Sequence, residues 1–385
     1  MRVLHIYGGF LFGGIENMLV TMARSESLAP GLRQEFALCH RGRLWRELSV
    51  AGVPLHDLGN VRVSRPWSML RAGLRLGRLL RRHRFDCVVI HSAWSHAIFS
   101  PRVRRARLPL IFWLHDRASG GHWTERWAAR TPPDLAICNS RFTLTTLPAI
   151  FPHTPAEVLY CPVTDTIPHL APRERAAVRA QFQVQPDELV IVIACRLEAW
   201  KGHQLLLAAL HNLPAEAQAA PWKLWIIGGV QRPSEQIYAD ELRRQAESQL
   251  PGRVQFLGQR DDVPRLYAAA DLHCQPNLQP EPFGIAWVEA LYAGLPVITT
   301  ALDGALEIIT AGCGVLVPAG DAGALTAALA RLMRDPVQRR NLSAHGPARA
   351  AELSSPALLM PRFLQILETA LRWSSAGELS SPVPQ

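Results

Sequence analysis

The first half of the chain alternates short apolar runs with longer stretches of helical periodicity. Residues 2–7 (RVLHIY), 34–39, 86–91 (DCVVIH), 109–114 (PLIFWL), 134–138 (DLAIC) and 157–160 (EVLY) predict strands. Several are apolar at nearly every position, as parallel strands covered on both faces should be. Helices are predicted between them at 14–28, 66–83, 94–106 and 140–149. This alternation predicts a doubly wound α/β domain. A proline-rich stretch, CPVTDTIPHLAP at 161–172, then predicts a linker.

The alternation restarts beyond it. Strands are predicted at 189–194 (LVIVIA), 223–227, 253–257, 271–274, 296–299 and 314–317. Helices are predicted at 202–211, 235–249, 262–269, 283–293, 304–310 and 321–334. The expected organisation is therefore two Rossmann-like α/β domains, 1–165 and 166–373, facing each other across a cleft. Ligands of such sheets sit at the carboxyl ends of the strands. A helix near 355–373 closes the chain and can pack back on the first domain. Residues 374–385 are small and polar, which predicts a flexible tail.

Composition narrows the class. With 48% hydrophobic and 19% charged residues, the chain is globular in type and not disordered. No uninterrupted apolar run reaches about 18 residues, so no spanning helix is expected. The start lacks a signal-type cleavage region. Seven cysteines without a C-x-x-C pair argue against a disulfide framework and a Cys-rich zinc site. The expected address is the cytoplasm.

Charge is unevenly spread. Residues 1–165 carry 22 Arg against 11 Asp and Glu, whereas residues 166–385 carry 19 Lys and Arg against 21 acids. The excess in the first half suggests a polyanionic partner; an Arg-rich genome is the plainer source, since there are 39 Arg and two Lys. Residues 65–84 concentrate the charge in Arg65, Arg71, Arg75, Arg78, Arg81, Arg82 and Arg84. Trp67, Met69, Leu70, Leu74 and Leu80 interleave with them. Arg71, Arg75, Arg78 and Arg82 share one helical face. A basic amphipathic helix can lie on an anionic membrane, and a core-packed helix with a solvated Arg face fits the same pattern. A second cluster at 102–107 (Arg102, Arg104, Arg105, Arg107) favours the membrane surface, which would place the chain peripherally on the inner face. Aromatic residues are not interleaved as in a stacking platform, so nucleic acid is not expected.

Five segments carry candidate chemistry. In QPEPFGIAWVEALYAGLPVI (279–298), Glu281 precedes Pro282, a residue favoured at the first helical position. The amides of Phe283, Gly284 and Ile285 would then face an anionic oxygen. Glu289 lies eight residues on, about 12 Å along a helix. Two carboxylates so spaced can accept hydroxyl hydrogens at both ends of an extended nucleotide sugar, although an isolated pair also fits a cap and a surface glutamate. In LVIVIACRLEAWKGHQLLLAAL (189–210), Arg196 and Lys201 follow a strand and can neutralise a diphosphate. Lys201 departs from the Arg habit of the chain, and the two cations differ in geometry. In FLGQRDDVPRLYAAADLHCQPN (256–277), Gly258 closes a strand and Arg260 can flank a base through its backbone. Asp262 is expected to cap the next helix. In YGGFLFGGIENML (7–19), Gly13 and Gly14 would let amides approach a phosphate. In WLHD (113–116), His115 stands just past a strand. No H-E-x-x-H, close His/carboxylate cluster or D-x-D triplet supports a metal site.

As an ordered set, Arg196-x4-Lys201-Gly202, Gly258 and Glu281-Pro-Phe-Gly-x4-Glu289 closely resemble the retaining glycosyltransferases of family 4. The N-terminal GGIE and the His115-Asp116 pair resemble that family's first-domain motifs. The resemblance implies a GT-B fold and transfer of a sugar from a nucleoside diphosphate sugar to a hydroxyl acceptor, in cell-surface glycan or glycolipid synthesis. It implies that Arg196 and Lys201 hold the donor diphosphate without a metal ion or other cofactor. It also implies that Glu281 and the 283–285 amides hold the sugar, that Glu289 takes the ribose, and that Arg260 flanks the base. Gly14 would approach the phosphates and His115 would contact the sugar. A glycan or lipid-linked acceptor would fall to the first domain. Asp303, Gly304 and Glu307 stand where the family often has Gly-Gly before Glu. YCPVTD (160–165) departs from the frequent Asn-Gly-Val-Asp, and Asn277 stands where Ser is common. A nucleotide-sugar epimerase, a phosphorylase and a non-catalytic nucleotide-sugar-binding protein are the alternatives on this fold.

Overall fold

The first sheet has seven parallel strands, in the order β3-β2-β1-β4-β5-β6-β7. They are β1 Arg2–Tyr7, β2 Arg33–Leu38, β3 Leu55–Asp57, β4 Cys87–His91, β5 Leu110–Leu114, β6 Leu135–Cys138 and β7 Ala156–Val158. Every residue of β4 and β5 is buried, because helices cover both faces. The order reverses between β1 and β4, whose ends Tyr7 and His91 are paired in register. In a computed structural model, which describes residues 1–379, this sheet belongs to a compact unit made of Met1–Pro162 and the helix Pro356–Leu379. That helix runs past 374 to Leu379, through residues where a flexible tail was expected. The rest of the expected tail, 380–385, lies outside the described residues.

The second unit, Val163–Ser355, holds six parallel strands in the order β10-β9-β8-β11-β12-β13. These are β8 Leu189–Ala194, β9 Trp222–Ile227, β10 Val254–Gly258, β11 Leu272–Gln275, β12 Val297–Thr300 and β13 Gly314–Val317. Here the order reverses between β8 and β11. The core gathers Ile191, Ile193, Leu206, Trp222, Leu242 and Leu329 around the sheet. Both sheets are thus doubly wound, as the alternation predicted.

Six elements escape the hydrophobic pattern. β3 and the helices Trp123–Ala128 and Ala215–Ala219 are short, at three, six and five residues. The helix Arg43–Val50 buries only Leu44 and Leu48. The helix Pro172–Gln181 starts on the last proline of the expected linker, at a position where proline costs no hydrogen bond. The helix Pro336–Ser354 contains Gly346 and Pro347, which disguise it. Gly346 is there for packing: a Cβ would sit 2.9 Å from the Leu291 carbonyl of the neighbouring helix.

The Arg-rich helix spans Pro66–Arg82. Its buried stripe is Ala72, Gly73, Leu76 and Leu79. Trp67 is 74% exposed, and Leu70 and Leu74 are each 44% exposed, so these apolar residues are not the core contacts of the helix. In the second cluster, Arg104 is held by Asp134 at 2.6 and 2.7 Å, and the Arg102 side chain packs beside Gly73. That cluster is therefore partly engaged within the unit.

Candidate active site

The second sheet's reversal point collects its most strongly polar group. Beyond β8 the chain makes a short 3-10 turn, Ala199–Lys201, and enters the helix His203–His211 through Gly202. Gly202 has φ +79°, and its α-carbon faces the Pro276 carbonyl too closely to admit a Cβ. This fixes the β8 loop against the loop that follows β11. A second tie is the bond from the Leu278 amide to the Trp200 carbonyl, 2.7 Å.

Across this junction the Lys201 ammonium pairs with the Glu281 carboxylate. Their side chains are only 10% and 15% exposed. The amide of Asn277 donates to the same Glu281 Oε2 at 3.0 Å, and Gln275 donates to Asn277 Oδ1 at 3.0 Å. The Thr300 hydroxyl secures the Asn277 carbonyl at 2.7 Å. Lys201 also lies 3.8 Å from the centre of the Trp200 ring, a cation–π contact. Arg196 pairs with Glu198 at 2.8 Å, and the Trp200 indole donates to the other Glu198 oxygen at 3.1 Å. Glu198, Trp200 and Gln275 are the components that sequence reasoning missed. Glu198 was detectable as the one acid within the Arg196–Lys201 loop.

Several expected details change. Glu281 does not share a helix with Glu289: the helix is Ile285–Tyr292, with Gly284 as its cap at φ +99°. Glu281 and Pro282 lie in the preceding loop, so the 12 Å helical rise does not apply. Gly284 takes this left-handed conformation where a Cβ would enter the Trp287 ring. Glu289 is half-buried on the helix; burial, with the Glu289 carboxylate adding to it, opposes ionisation of Tyr267. Asp262 occupies the cap position before the helix Val263–Ala269 but makes no side-chain cap bond. Its carboxylate instead takes two bonds from Arg260, each 2.7 Å, which hold its pKa below the usual range. A bidentate charged pair outcompetes a single cap bond. Asp303 has φ +27° just before Gly304, whose α-carbon approaches the Glu281 carbonyl.

The first unit is built differently. The helix Gly14–Arg24 begins where expected, but the Gly13 amide donates to Glu16 Oε2 at 2.8 Å. Tyr7 donates to the other Glu16 oxygen at 2.5 Å. The chain thus supplies its own carboxylate to the Gly13 amide, which a phosphate was expected to use. His115 follows β5 and is 8% exposed. Its Nε2 bonds His91 Nδ1 at 2.8 Å, and His91 Nε2 bonds His5 Nδ1 at 2.9 Å. Beside the ends of β1 and β4 lies a cavity of about 650 Å³, lined by Tyr7, Phe10, His40, Arg62, Ser92 and Trp94 among others. No group of three or more His, Cys, Asp or Glu among the described residues is placed to hold a metal.

Sequence comparison gives two family matches. Residues 12–166 match the model described as Glycosyltransferase Family 4, and residues 174–349 match Glycosyl transferases group 1. The chain belongs to glycosyltransferase family 4. The first match contains Gly14 and His115, and the second contains every other candidate residue. A phosphatidyl-myo-inositol mannosyltransferase of Mycobacterium leprae is 37% identical over 145 residues, 37% of this chain and 38% of that protein. The chain therefore matches well under half the length of that relative. The lipopolysaccharide core biosynthesis glycosyltransferase LpsD of Rhizobium meliloti is 26% identical over 353 residues, 90% of this chain and 92% of that protein. HepE of Anabaena, solved in complex with UDP and glucose, superposes with a TM-score of 0.84 at 24% identity, covering 96% of this chain and all of that one. The fold of this family-4 chain is that of the GT-B glycosyltransferases.

Burial leaves several histidines neutral. Desolvation lowers the pKa of His273 to about 3 and that of His96 to about 4. Below the ordinary value near 6.5, an unfolded chain takes up protons that these folded rings refuse. Stability is therefore expected to fall as pH drops from 6.5 towards 4, on the order of 1 kcal/mol per buried ring per pH unit. Thermal unfolding across that range tests this, and His273→Phe should flatten the slope. A flat wild-type profile between pH 6.5 and 4.5 would refute the assignment.

Proposed function

We propose that this chain is a retaining, metal-independent glycosyltransferase. It moves a hexose-type sugar from a nucleoside diphosphate sugar to a hydroxyl acceptor in cell-surface glycan or glycolipid synthesis. The observation that carries this reading is the buried Lys201–Glu281 pair, with Arg196 nearby in sequence, at the reversal point of the second sheet. Reversal points are where doubly wound sheets bind ligands. Arg196 and Lys201 neutralise the leaving diphosphate, assisted by the amides of Phe283, Gly284 and Ile285 at a helix start. Glu281 accepts hydroxyl hydrogens from the transferred sugar, Glu289 takes the ribose diol, and the Arg260 backbone flanks the base. Gly14 approaches the phosphates. His115 contacts the donor sugar. The acceptor hydroxyl attacks on the face from which the diphosphate leaves. In the first unit, the aromatic walls and Arg62 of the 650 Å³ cavity suit a glycan or anionic lipid headgroup as acceptor. The UDP bound by HepE, the phosphatidyl-myo-inositol mannosyltransferase name of one relative and the lipopolysaccharide core biosynthesis named for another support this reading.

A thermal-shift panel of UDP-, GDP- and ADP-sugars in the presence of a chelator tests the donor site. One nucleotide family should raise the unfolding midpoint by mass action. Glu289→Ala should weaken that donor about tenfold or more, the effect of losing a charge-assisted hydrogen bond. No shift with any donor in a folded sample would overturn the reading. Unchanged affinity in Glu289→Ala would remove the ribose role alone.

No described helix is long and apolar enough to cross a membrane. The helix Pro66–Arg82 instead presents Trp67, Leu70 and Leu74 beside Arg71, Arg75 and Arg78, all exposed. This face suits the surface of an anionic bilayer. Flotation with phosphatidylglycerol vesicles should show salt-sensitive binding. The triple change of Arg71, Arg75 and Arg78 to Gln should weaken it about 100-fold, at about 1 kcal/mol per basic residue. Equal binding by wild type and variant would exclude this face.

A further inference from the structure

The two oxygens of the Glu281 carboxylate are used unequally. The Lys201 ammonium and the Asn277 side-chain amide both meet Oε2. Among the described residues Oε1 takes no hydrogen bond. It is not one of the buried polar atoms left without a partner either, so solvent reaches it. One oxygen is thus spent inside the protein and the other is open.

The direction of each amide behind Oε2 follows from the carboxylate. An ionised carboxylate only accepts, so Asn277 must present Nδ2 to it. Asn277 Oδ1 then points the other way and accepts from Gln275 Nε2 at 3.0 Å. Asn277 and Gln275 are both fully enclosed. Among the described residues, this bond is the one that the Gln275 side chain makes, and its own Oε1 has no protein partner. The single hydrogen bond of a buried glutamine is therefore the one that turns Asn277 towards Glu281. The backbone beneath is held as firmly. The Thr299 hydroxyl donates to the Gln275 carbonyl at 2.8 Å, and the Asn277 amide N–H donates to that carbonyl at 3.1 Å. Gln275 is the last residue of β11, so the line starts on the sheet and ends at the carboxylate.

We infer that Asn277 and Gln275 are positioning residues that hold Glu281 Oε2 inward and leave Oε1 outward, as the oxygen that accepts a hydroxyl hydrogen from the transferred sugar. The sugar rests on the glycosyl-transfer reading; the orientation of the carboxylate does not. Neither amide touches the donor. Without Asn277, Oε2 keeps only the ammonium, a compact charge with rotatable donors that either oxygen satisfies. The carboxylate is then free to turn. Without Gln275, the Asn277 amide is free to turn, with the same result one step later. The loss falls on the sugar and not on the diphosphate, which Arg196 and Lys201 still meet.

The first measurement needs no donor. In 15N spectra, the side-chain amide signals of Asn277 and Gln275 are assigned by their loss in Asn277→Leu and Gln275→Met. Glu281→Leu should shift both, although Gln275 makes no bond to Glu281. An unmoved Gln275 signal overturns the inference. The second measurement compares ligands with and without the sugar: UDP-glucose against UDP, GDP-mannose against GDP and ADP-glucose against ADP, using the pair that the wild type binds. Gln275→Met and Asn277→Leu, which roughly keep volume, should weaken the sugar nucleotide about tenfold, one hydrogen bond's worth. The nucleoside diphosphate should bind as before. An equal loss for both ligands would mark a structural fault, and no loss for either would mark no role; each overturns the inference. If Asn277→Leu does not fold, Gln275→Met alone decides. A wild type that binds no nucleotide, with both amide signals moved in Glu281→Leu, would instead sink the glycosyl-transfer reading and leave the orientation standing.

Discussion

Lys201→Ala is expected to reduce turnover about 100-fold or more, comparable to removing a strong oxyanion donor. The argument is electrostatic. In the chain as it stands, the ammonium sits in a nearly closed site, balanced by Glu281 and resting on the Trp200 ring. A charge held in place at low dielectric costs no reorganisation when negative charge develops on a leaving diphosphate. Alanine removes that charge while the loop stays fixed by Gly202 and by the Leu278–Trp200 bond. Lys201→Arg should recover only part of the loss, because a planar guanidinium cannot occupy the position of a compact ammonium above the indole. Transfer assays at saturating donor, with circular dichroism to confirm folding, measure both. Near-wild-type turnover and donor affinity in the alanine variant would remove Lys201 from the reaction.

The sequence made the frame and the charged anchors of this site legible. Continuous apolar runs such as LVIVIA and DCVVIH are unambiguous strands because parallel sheets bury both faces. Arg196 and Lys201 were visible as charges beyond such a run, and Glu281 and Glu289 by their spacing across a predicted helix start. What connects them was not visible. The Glu281–Asn277–Gln275 line of hydrogen bonds depends on how the loop after β11 folds, which no periodicity encodes. Asp262 looked like a cap because position alone suggests one, yet the adjacent Arg260 offers two charged bonds. His5 and His91 lay unnoticed inside strand runs, since an apolar strand with one histidine looks the same whether the ring is isolated or linked to its neighbour. The face of the Arg-rich helix was also undecidable from spacing: Trp67, Leu70 and Leu74 follow helical periodicity as well as Leu76 and Leu79 do.

The second large effect is expected in stability. Glu281→Ala should destabilise the chain by about 3 kcal/mol, the cost of leaving a buried ammonium unpaired. Glu281→Gln keeps the volume and an acceptor for Asn277, so it should cost less. Removing both charges as Lys201→Met with Glu281→Leu should cost clearly less than the two single losses together. The expected coupling is about 1–3 kcal/mol, as for residues in direct contact within one network. Partial relief is reasonable because both side chains are largely enclosed, at 10% and 15% exposure, and each partner is costly chiefly when the other is missing. Asn277 keeps the relief incomplete: in the double variant its amide loses the Glu281 oxygen that it now meets at 3.0 Å. Urea titrations of the four proteins in the cycle measure the coupling. Strict additivity would mean that the two charges are solvated independently, and the pair could then no longer be taken as the preorganised centre of the donor site. A strong coupling, with the double variant folded and inactive, would separate the two roles: the pair would be dispensable for the fold and retained for its chemistry.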